Sequence, residues 1–247
     1  MTQTPEQALV RSALYEVLSL AFLYPEKGGV RRLAEKADTL ADEAARLDWV
    51  ELEKPFRKAT AVLNGLTDDG MVEDYVEVFG HGVSGDCPQY EGEYAQPHVF
   101  QKSQTLAHLN AFYAAFGVSA NPDLKERTDH ISVELEFMQL LTVKEAYAQI
   151  NGHGADKAQL CRDAQKDFLE GHLAPWIKSF VRRVSRKAGD ENVYGVMAQL
   201  LDVHMTGEFR AFGIRPAPSH QTILPVVQED DLDCAECPIL DETPVGS

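Results

Sequence analysis

The sequence predicts an all-α protein: a single-domain helical bundle over residues 1–213, followed by a tail rich in proline and acid, partly disordered, over 214–247. Three observations carry that prediction. Apolar residues recur at three- and four-residue steps in one segment after another, the period of a helix with a buried face. No segment shows the strict alternation of a half-buried strand. Nothing repeats at a period of roughly 20–50 residues, and no low-complexity block precedes the tail.

Taken in order, Pro5 to Tyr24 places Leu9, Ala13, Leu14, Val17, Leu18, Ala21 and Phe22 on one stripe. Thr4 suits the N-cap, Pro5 the first helical position, and Pro25 the stop. Val30 to Leu47 repeats the pattern more weakly. Trp49 to Leu63 forms a third helix, starting at Asp48 and ending near Asn64-Gly65, and Thr67 to Phe79 a fourth. The period then breaks. Gly80 to Pro97 is a Gly- and Pro-rich loop holding Tyr90 and Tyr94. Loops longer than about 12–15 residues inside a compact domain are uncommon and are often functional.

His98 to Phe116 is helical again, with Gly117 as its stop. After a connector at 118–125 comes Thr128 to Tyr147, where Ile131, Leu135, Met138 and Leu141 make one stripe and Phe137 and Leu140 widen it. This helix is predicted to be buried on more than one side, with Asp129, His130 and Glu134 as a polar cluster at its mouth. Ala155 to Glu170 follows, then a break at Gly171 to Ala174, then a helix restarted by Pro175. Asp190 caps the last helix, Asn192 to Phe212. In the tail, Ile223, Leu224, Val226 and Val227 form a candidate docking strand. About nine helices result.

Composition narrows the function classes. With 247 residues, 44% hydrophobic and 25% charged, the chain is ordinary globular protein. A net charge of −16 argues against nucleic acid or an anionic membrane as partner and leaves open an acidic surface that receives a basic peptide. The apolar run Ala13 to Tyr24 is too short to span a bilayer and contains Glu16. Without the features of a secretory signal at Met1 to Ser12, and with four cysteines, a cytoplasmic location is expected.

The residues alone leave the chemistry open. Glu126, His130 and Glu134 stand at successive four-residue steps, and His204 with Glu208 repeats the spacing, so a helical metal-binding protein or oxidase using His130 and Glu134 is one reading. A di-iron bundle, however, needs Glu-x-x-His from two helices, and the sequence has none. Asp129 also suits a helix start, and His130 a local hydrogen bond. His172 and Trp176, four apart, either brace a helix junction or line the same cavity as His130. Cys234 and Cys237 supply half of a zinc knuckle, whereas a closed site needs four ligands. No phosphate loop, dinucleotide fingerprint or nucleophile elbow is present. No metal, cofactor or catalytic residue is assigned.

Three stretches, in order, resemble one family. Phe168–Phe180 (FLEGHLAPWIKSF) is similar to the F-L-x-x-H-L-x-P-W signature of TorD/DmsD/NarJ-type molybdoenzyme maturation chaperones. Thr128–Met138 (TDHISVELEFM) resembles their D-H-x-x-x-E-L-x-F-M helix. Tyr75 to Tyr94, with Y-x-x-x-F-G and then CPQYEGEY, resembles their loop. The CPQYE version looks most like the branch serving type II enzymes of the dimethyl sulfoxide reductase family. The resemblance implies a cytoplasmic, non-catalytic chaperone with a TorD-like helical fold. It would bind an apo catalytic subunit, its twin-arginine signal peptide, or both, assist molybdenum-cofactor insertion and delay export.

By that resemblance Pro88, Tyr90, Asp129 and His130 belong to the partner site, with Glu134 beside them. Glu91, Glu93 and Tyr94 from the loop, and His172 and Trp176 from the signature, complete the expected set. Physically, a peptide with paired arginines needs carboxylates for bidentate contact and an apolar groove alongside. The expected site is an acid-rimmed cleft in which Tyr90 and His130 share a hollow. Cys87 and Gln89 in the loop, and the absence of a proline just before Asp129, depart from the family pattern.

Overall fold

The computed structural model describes residues 4–80, 85–94, 101–119, 126–152 and 154–216. Among these, nine α-helices and one isolated β-bridge account for the regular structure, apart from a single 3-10 turn and one π turn. The helices are α1 Pro5–Ala21, α2 Gly29–Arg46, α3 Val50–Asn64, α4 Asp68–Phe79, α5 Gln101–Ala115, α6 Ile131–Ile150, α7 Ala155–Phe168, α8 Ala174–Ala188 and α9 Val193–Phe212. The all-α class read from periodicity is what the structure has. No helix is long and apolar enough to cross a membrane.

Local signals explain most helix ends. Thr4 and Gln7 form a reciprocal capping box, with Pro5 just inside it, where a missing N–H costs nothing. Thr67 accepts from Gly70 N–H at the start of α4. Other ends differ from expectation. α1 stops at Ala21, a turn before Pro25. Asp48 does not start α3; it is the one described non-glycine residue with positive φ, at 56°, and Trp49 precedes the helix. Asn192, not Asp190, caps α9 by accepting from Tyr194 N–H. α6 begins at Ile131, three residues later than Thr128, because 128–130 are drawn into contact with the loop.

The expected break at 171–174 is instead a π turn, Leu169–Leu173, that joins α7 to α8 without interruption. Ala174 N–H reaches the Leu169 carbonyl five residues back. In a regular α-helix the ring of Pro175 would collide with the carbonyl four residues earlier. A widened turn at this point relieves that conflict and aims the buried His172 inward.

α6 is the axis of the bundle, running along α1 on one side and α7 on another, while α2 pairs with α3 and α8 with α9. The core is built from fully buried Trp176, Tyr15, Tyr194, Phe22, Phe56, Phe168 and Phe180, with Leu135, Met138 and Leu141 supplied by α6. Phe22, Phe79, Phe180 and Tyr194 meet edge-on, tilted or stacked, with centroids between 5.0 and 6.5 Å apart. Such arrangements suit the charge distribution of aromatic rings.

A second buried cluster is polar. Arg11 donates to both oxygens of Glu208 (2.7 and 2.5 Å) and to Gln165, while Tyr15 donates to Glu208 at 2.8 Å. This fork holds the Glu208 carboxyl down at about 2, against the desolvation that would raise it. His204, packed edge-on against Tyr15, is pushed down to about 4 by burial. It is therefore neutral at neutral pH.

At the turn between α8 and α9, Gly195 lies against the Gly189 carbonyl. A side chain at 195 would collide with backbone, so the close approach requires glycine here. Beyond α9 the chain packs slightly past the expected boundary at 213, since Ile214 is buried and its N–H bonds the Phe209 carbonyl. The candidate docking strand at 223–227 and Cys234 and Cys237 lie outside the described residues.

Candidate partner-binding site

The loop and the start of α6 are stitched together by backbone. Tyr90 and His130 form the antiparallel bridge: Glu91 N–H donates to Asp129 O (2.9 Å), and Ile131 N–H donates to Gln89 O (2.8 Å). Their rings meet edge-on at 5.0 Å. Tyr90 and His130 are therefore in direct contact, with His130 buried beneath the tyrosine ring. The same register brings Glu91, Asp129 and Glu134 close together.

Each group in the junction has a defined partner. Asp129, fully buried, takes a two-point contact from Arg127 (Nε–Oδ1 2.9 Å, Nη2–Oδ2 2.6 Å) and a third bond from Gly92 N–H at 3.1 Å. The Arg127 guanidinium lies over the Tyr90 ring, 4.5 Å from its centroid. Tyr90 OH donates to Glu126 at 2.6 Å. Arg127 and Lys102 both reach Glu93, at 3.3 and 2.6 Å. His130 caps α6, its Nδ1 accepting from Ser132 N–H at 3.2 Å. Burial pushes the His130 imidazole down to about 4, so it is neutral near pH 7.

Behind this layer lies a buried relay. His108, on the exposed side of α5, meets His172 at 2.8 Å, and His172 Nδ1 meets Glu91 at 3.1 Å. Trp176 Nε1 donates to Glu134 Oε2 at 3.3 Å, leaving Glu134 Oε1 without a donor. Burial, reinforced by the neighbouring Glu91 and Asp129, raises the Glu134 carboxyl well above its usual range. Burial also raises the neighbouring Glu91 carboxyl, which meets His172 Nδ1. Tyr94 closes the loop, donating to Pro88 O at 2.8 Å and packing 5.2 Å from Trp176. His172 and Trp176 are buried at the junction of α7 and α8, the first of the two readings left open by their spacing, and they reach the loop and α6 through Glu91 and Glu134.

All ten expected site residues lie in this one assembly, but they do not present a uniform acidic rim. Pro88, Glu91, Asp129, His130, Glu134, His172 and Trp176 are buried, whereas Tyr90, Glu93 and Tyr94 are partly exposed. In this conformation Glu91, Asp129 and Glu134 bond to the protein's own groups. Three contributors escaped the sequence reading. Arg127 is legible only as the neighbour of Asp129. Gln89 accepts from Tyr75 OH and donates to Phe22 O, anchoring the loop to α1 and α4. Glu126, considered before only as a metal ligand, has no Lys or Arg ion-pair partner among the described residues. It stands between two grooves, one of about 560 Å³ along α6 and one of about 500 Å³ lined by Leu20, Leu23, Tyr24 and Met71.

The metal reading gains no support from this geometry. Among the described residues no group of three or more His, Cys, Asp or Glu is arranged to hold a metal ion. His130 uses Nδ1 as a helix cap, and its Nε2 lies 3.9 Å from Glu126.

Comparison with known proteins agrees with the motifs. The chain is 28% identical over 192 residues to the selenate reductase assembly chaperone protein of Thauera selenatis, covering 77% of this chain and 85% of that one. It is 29% identical over 191 residues to the chlorate reductase assembly chaperone protein of Ideonella dechloratans, with the same coverage. Over 152 residues it is 25% identical to the chaperone protein TorD of Vibrio cholerae, spanning 60% of this chain and 64% of TorD. The family model described as nitrate reductase delta subunit matches residues 33–182, from α2 through the loop, the α6 junction and the π turn into α8. With more than half of its length matched, the chain belongs to the nitrate reductase delta subunit family, whose TorD- and NarJ-like members include these assembly chaperones.

Proposed function

We propose that this chain is a cytoplasmic, system-specific assembly chaperone that performs no reaction of its own. It binds the apo catalytic subunit of a molybdenum oxidoreductase, its twin-arginine signal peptide, or both, assists cofactor insertion and delays export. The observation that carries this reading is the family match across the loop, the α6 junction and the π turn, together with relatives named as reductase assembly chaperones. The net charge of −16 supports it too, because a strongly acidic surface speeds capture of a basic segment.

In this proposal the site residues divide the work. Asp129, His130, Glu91, Glu134, His172, Trp176 and Pro88 hold the loop in shape from inside. Tyr90, Glu93, Tyr94 and the added Glu126 face the partner. Single surface carboxylates contribute little, so apolar contact supplies most of the affinity and charge supplies selection. The alternative, a metal protein or oxidase on His130 and Glu134, is not favoured, since the relatives are named as chaperones.

The deciding experiment is affinity capture with the tagged full chain from its native host, followed by mass spectrometry. Recovery of a cofactor-free oxidoreductase subunit is expected. Capture that yields no such subunit, in cells that are making one, would refute the proposal.

A further inference from the structure

Helix α8 is basic in a strongly acidic protein. Between Glu170 and Asp190 the sequence holds five Lys or Arg residues and no Asp or Glu, although the whole chain carries a net charge of −16. The five differ in what they touch. Lys178 turns toward α9, where it meets Asp202 at 2.8 Å and Thr206 at 2.6 Å. Lys187 meets Asp86 at 2.8 Å, while Arg183 donates to the Asp86 carbonyl at 3.4 Å and lies 5.8 Å from the centroid of the Tyr94 ring. Arg182 and Arg186 are exposed and have no ion-pair or hydrogen-bond partner among the described residues. One turn apart, they share a face of the helix and stand about 6 Å from each other along its axis. Like charges at this spacing repel, and an anionic group laid across both relieves that cost.

Charge and reach identify the anionic group. α9 runs back along α8, as the pairing of Lys178 with Asp202 and Thr206 and the contact of Gly195 with the Gly189 carbonyl require. The chain therefore leaves α9 beside the N-terminal end of α8, from which Arg182 and Arg186 are roughly 20 Å away at 1.5 Å per helical residue. After Arg215 the sequence holds seven Asp or Glu residues and no Lys or Arg. The first of them, Glu229, follows Pro216 by 13 residues, a length of chain that spans up to about 45 Å. Exposed ion pairs are weak singly, but a tether raises the local concentration of the acidic segment to about the millimolar range. A membrane or nucleic acid arriving from solution meets the repulsion of the whole acidic chain. The tail is already attached.

We propose that the acidic segment 229–233 of the chain's own C-terminal tail docks on the outer face of α8 and pairs with Arg182 and Arg186. In an extended chain alternate residues stand about 6.7 Å apart, so Glu229, Asp231 and Asp233 repeat at nearly the spacing of the two arginines. Docked there, the segment lies beside Arg183 and Lys187, which already hold Tyr94 and Asp86 of the loop. It turns a basic edge of that loop acidic. The contact is internal to the chain and does not depend on the assembly-chaperone reading.

The test uses the full chain, labelled with ¹⁵N and carrying a nitroxide on Cys234 and Cys237. Mass spectrometry verifies that Cys87 and Cys161, both buried, stay unlabelled. At low salt the amide signals of residues 178–187 are expected to lose about half their intensity or more. Those of α2, which packs on α1, α3 and α4, keep theirs. The loss at α8 is expected to shrink about threefold or more in the variant Arg182→Gln with Arg186→Gln, whose circular dichroism spectrum stays unchanged because both side chains are exposed. It shrinks likewise in the wild type at about 0.5 M salt, where the screening length falls to about 4 Å.

Equal losses over α2 and α8, or a loss at α8 that neither the variant nor salt reduces, would overturn the proposal. So would a loss that appears when nitroxide-bearing chains of natural isotope content are mixed with unmodified ¹⁵N chains, which assigns the stripe to the tail of a second copy. If the nitroxide has no effect at α8 and phosphatidylserine vesicles bind the wild type but not the double variant, the stripe belongs to an anionic surface and the tail assignment fails.

Discussion

Replacing Asp129 with Asn tests whether this residue acts as an internal latch or as a direct grip on the partner. Asn keeps the shape and still accepts from Gly92 N–H, but it loses the charge that takes both Arg127 contacts, at 2.9 and 2.6 Å. It also turns an N–H₂ donor toward a guanidinium that only donates. Removing one partner of a fully buried pair costs about 3–5 kcal/mol. Here Asp129 is buried but the Arg127 side chain is 31% exposed and keeps Glu93 at 3.3 Å, so part of its charge stays solvated. The expected loss is therefore about 2 kcal/mol. In a bundle of this size that lowers Tm by roughly 4–8 °C. Urea unfolding followed by circular dichroism measures the loss, and a cycle with Arg127→Ala isolates the pair. If Asp129→Asn abolished client binding with no change in stability and no coupling to Arg127, the latch would be refuted in favour of direct contact.

Three further outcomes are expected. His130→Ala should cost about 1 kcal/mol through loss of the cap on Ser132 N–H, with faster amide exchange confined to the first turn of α6; uniform exchange changes would contradict the capping role. Glu134→Gln should leave stability near wild type at neutral pH and remove one protonated-carboxyl band from the infrared spectrum, because burial keeps Glu134 neutral; an intact band would place the proton elsewhere. Glu208, held down at about 2 by Arg11, stabilises the fold above the ordinary carboxylate range, and this contribution is lost as pH falls from about 4.5 through 2. Glu208→Gln should accordingly destabilise the protein by about 3 kcal/mol at neutral pH and flatten the acid limb of the stability profile; an acid limb as steep as wild type would assign it to other groups.

The sequence made legible whatever depends on neighbours along the chain. The stripe Leu135, Met138 and Leu141, the cap Thr4 with Pro5, and the stop at Gly117 are local, and each appears in the structure. The second apolar side of α6 is also readable from Phe137 and Leu140: Phe137 is buried and Leu140 packs against the core, while further along the helix Val143 and Ile150 are exposed. Features that depend on residues far apart were not legible. Gly171 and Pro175 look like a break because their local preferences are those of a break; the π turn persists because Leu169, Leu173 and Trp176 are buried on both sides of it. Likewise the carboxylates Glu91 and Glu134 read as a partner's ligands, since their internal counterparts arrive from His172 and Trp176 by tertiary folding.

The tight contact at Gly195 constrains how this bundle can open. With no room between α9 and the Gly189 carbonyl, the last two helices cannot slide past one another and must travel as one lever. A rearrangement that preserved this contact would bend the molecule at seams further from the C-terminal hairpin. The π turn at 169–173 lies at the other end of α8, where swinging that lever would also move His172 and the relay behind the loop.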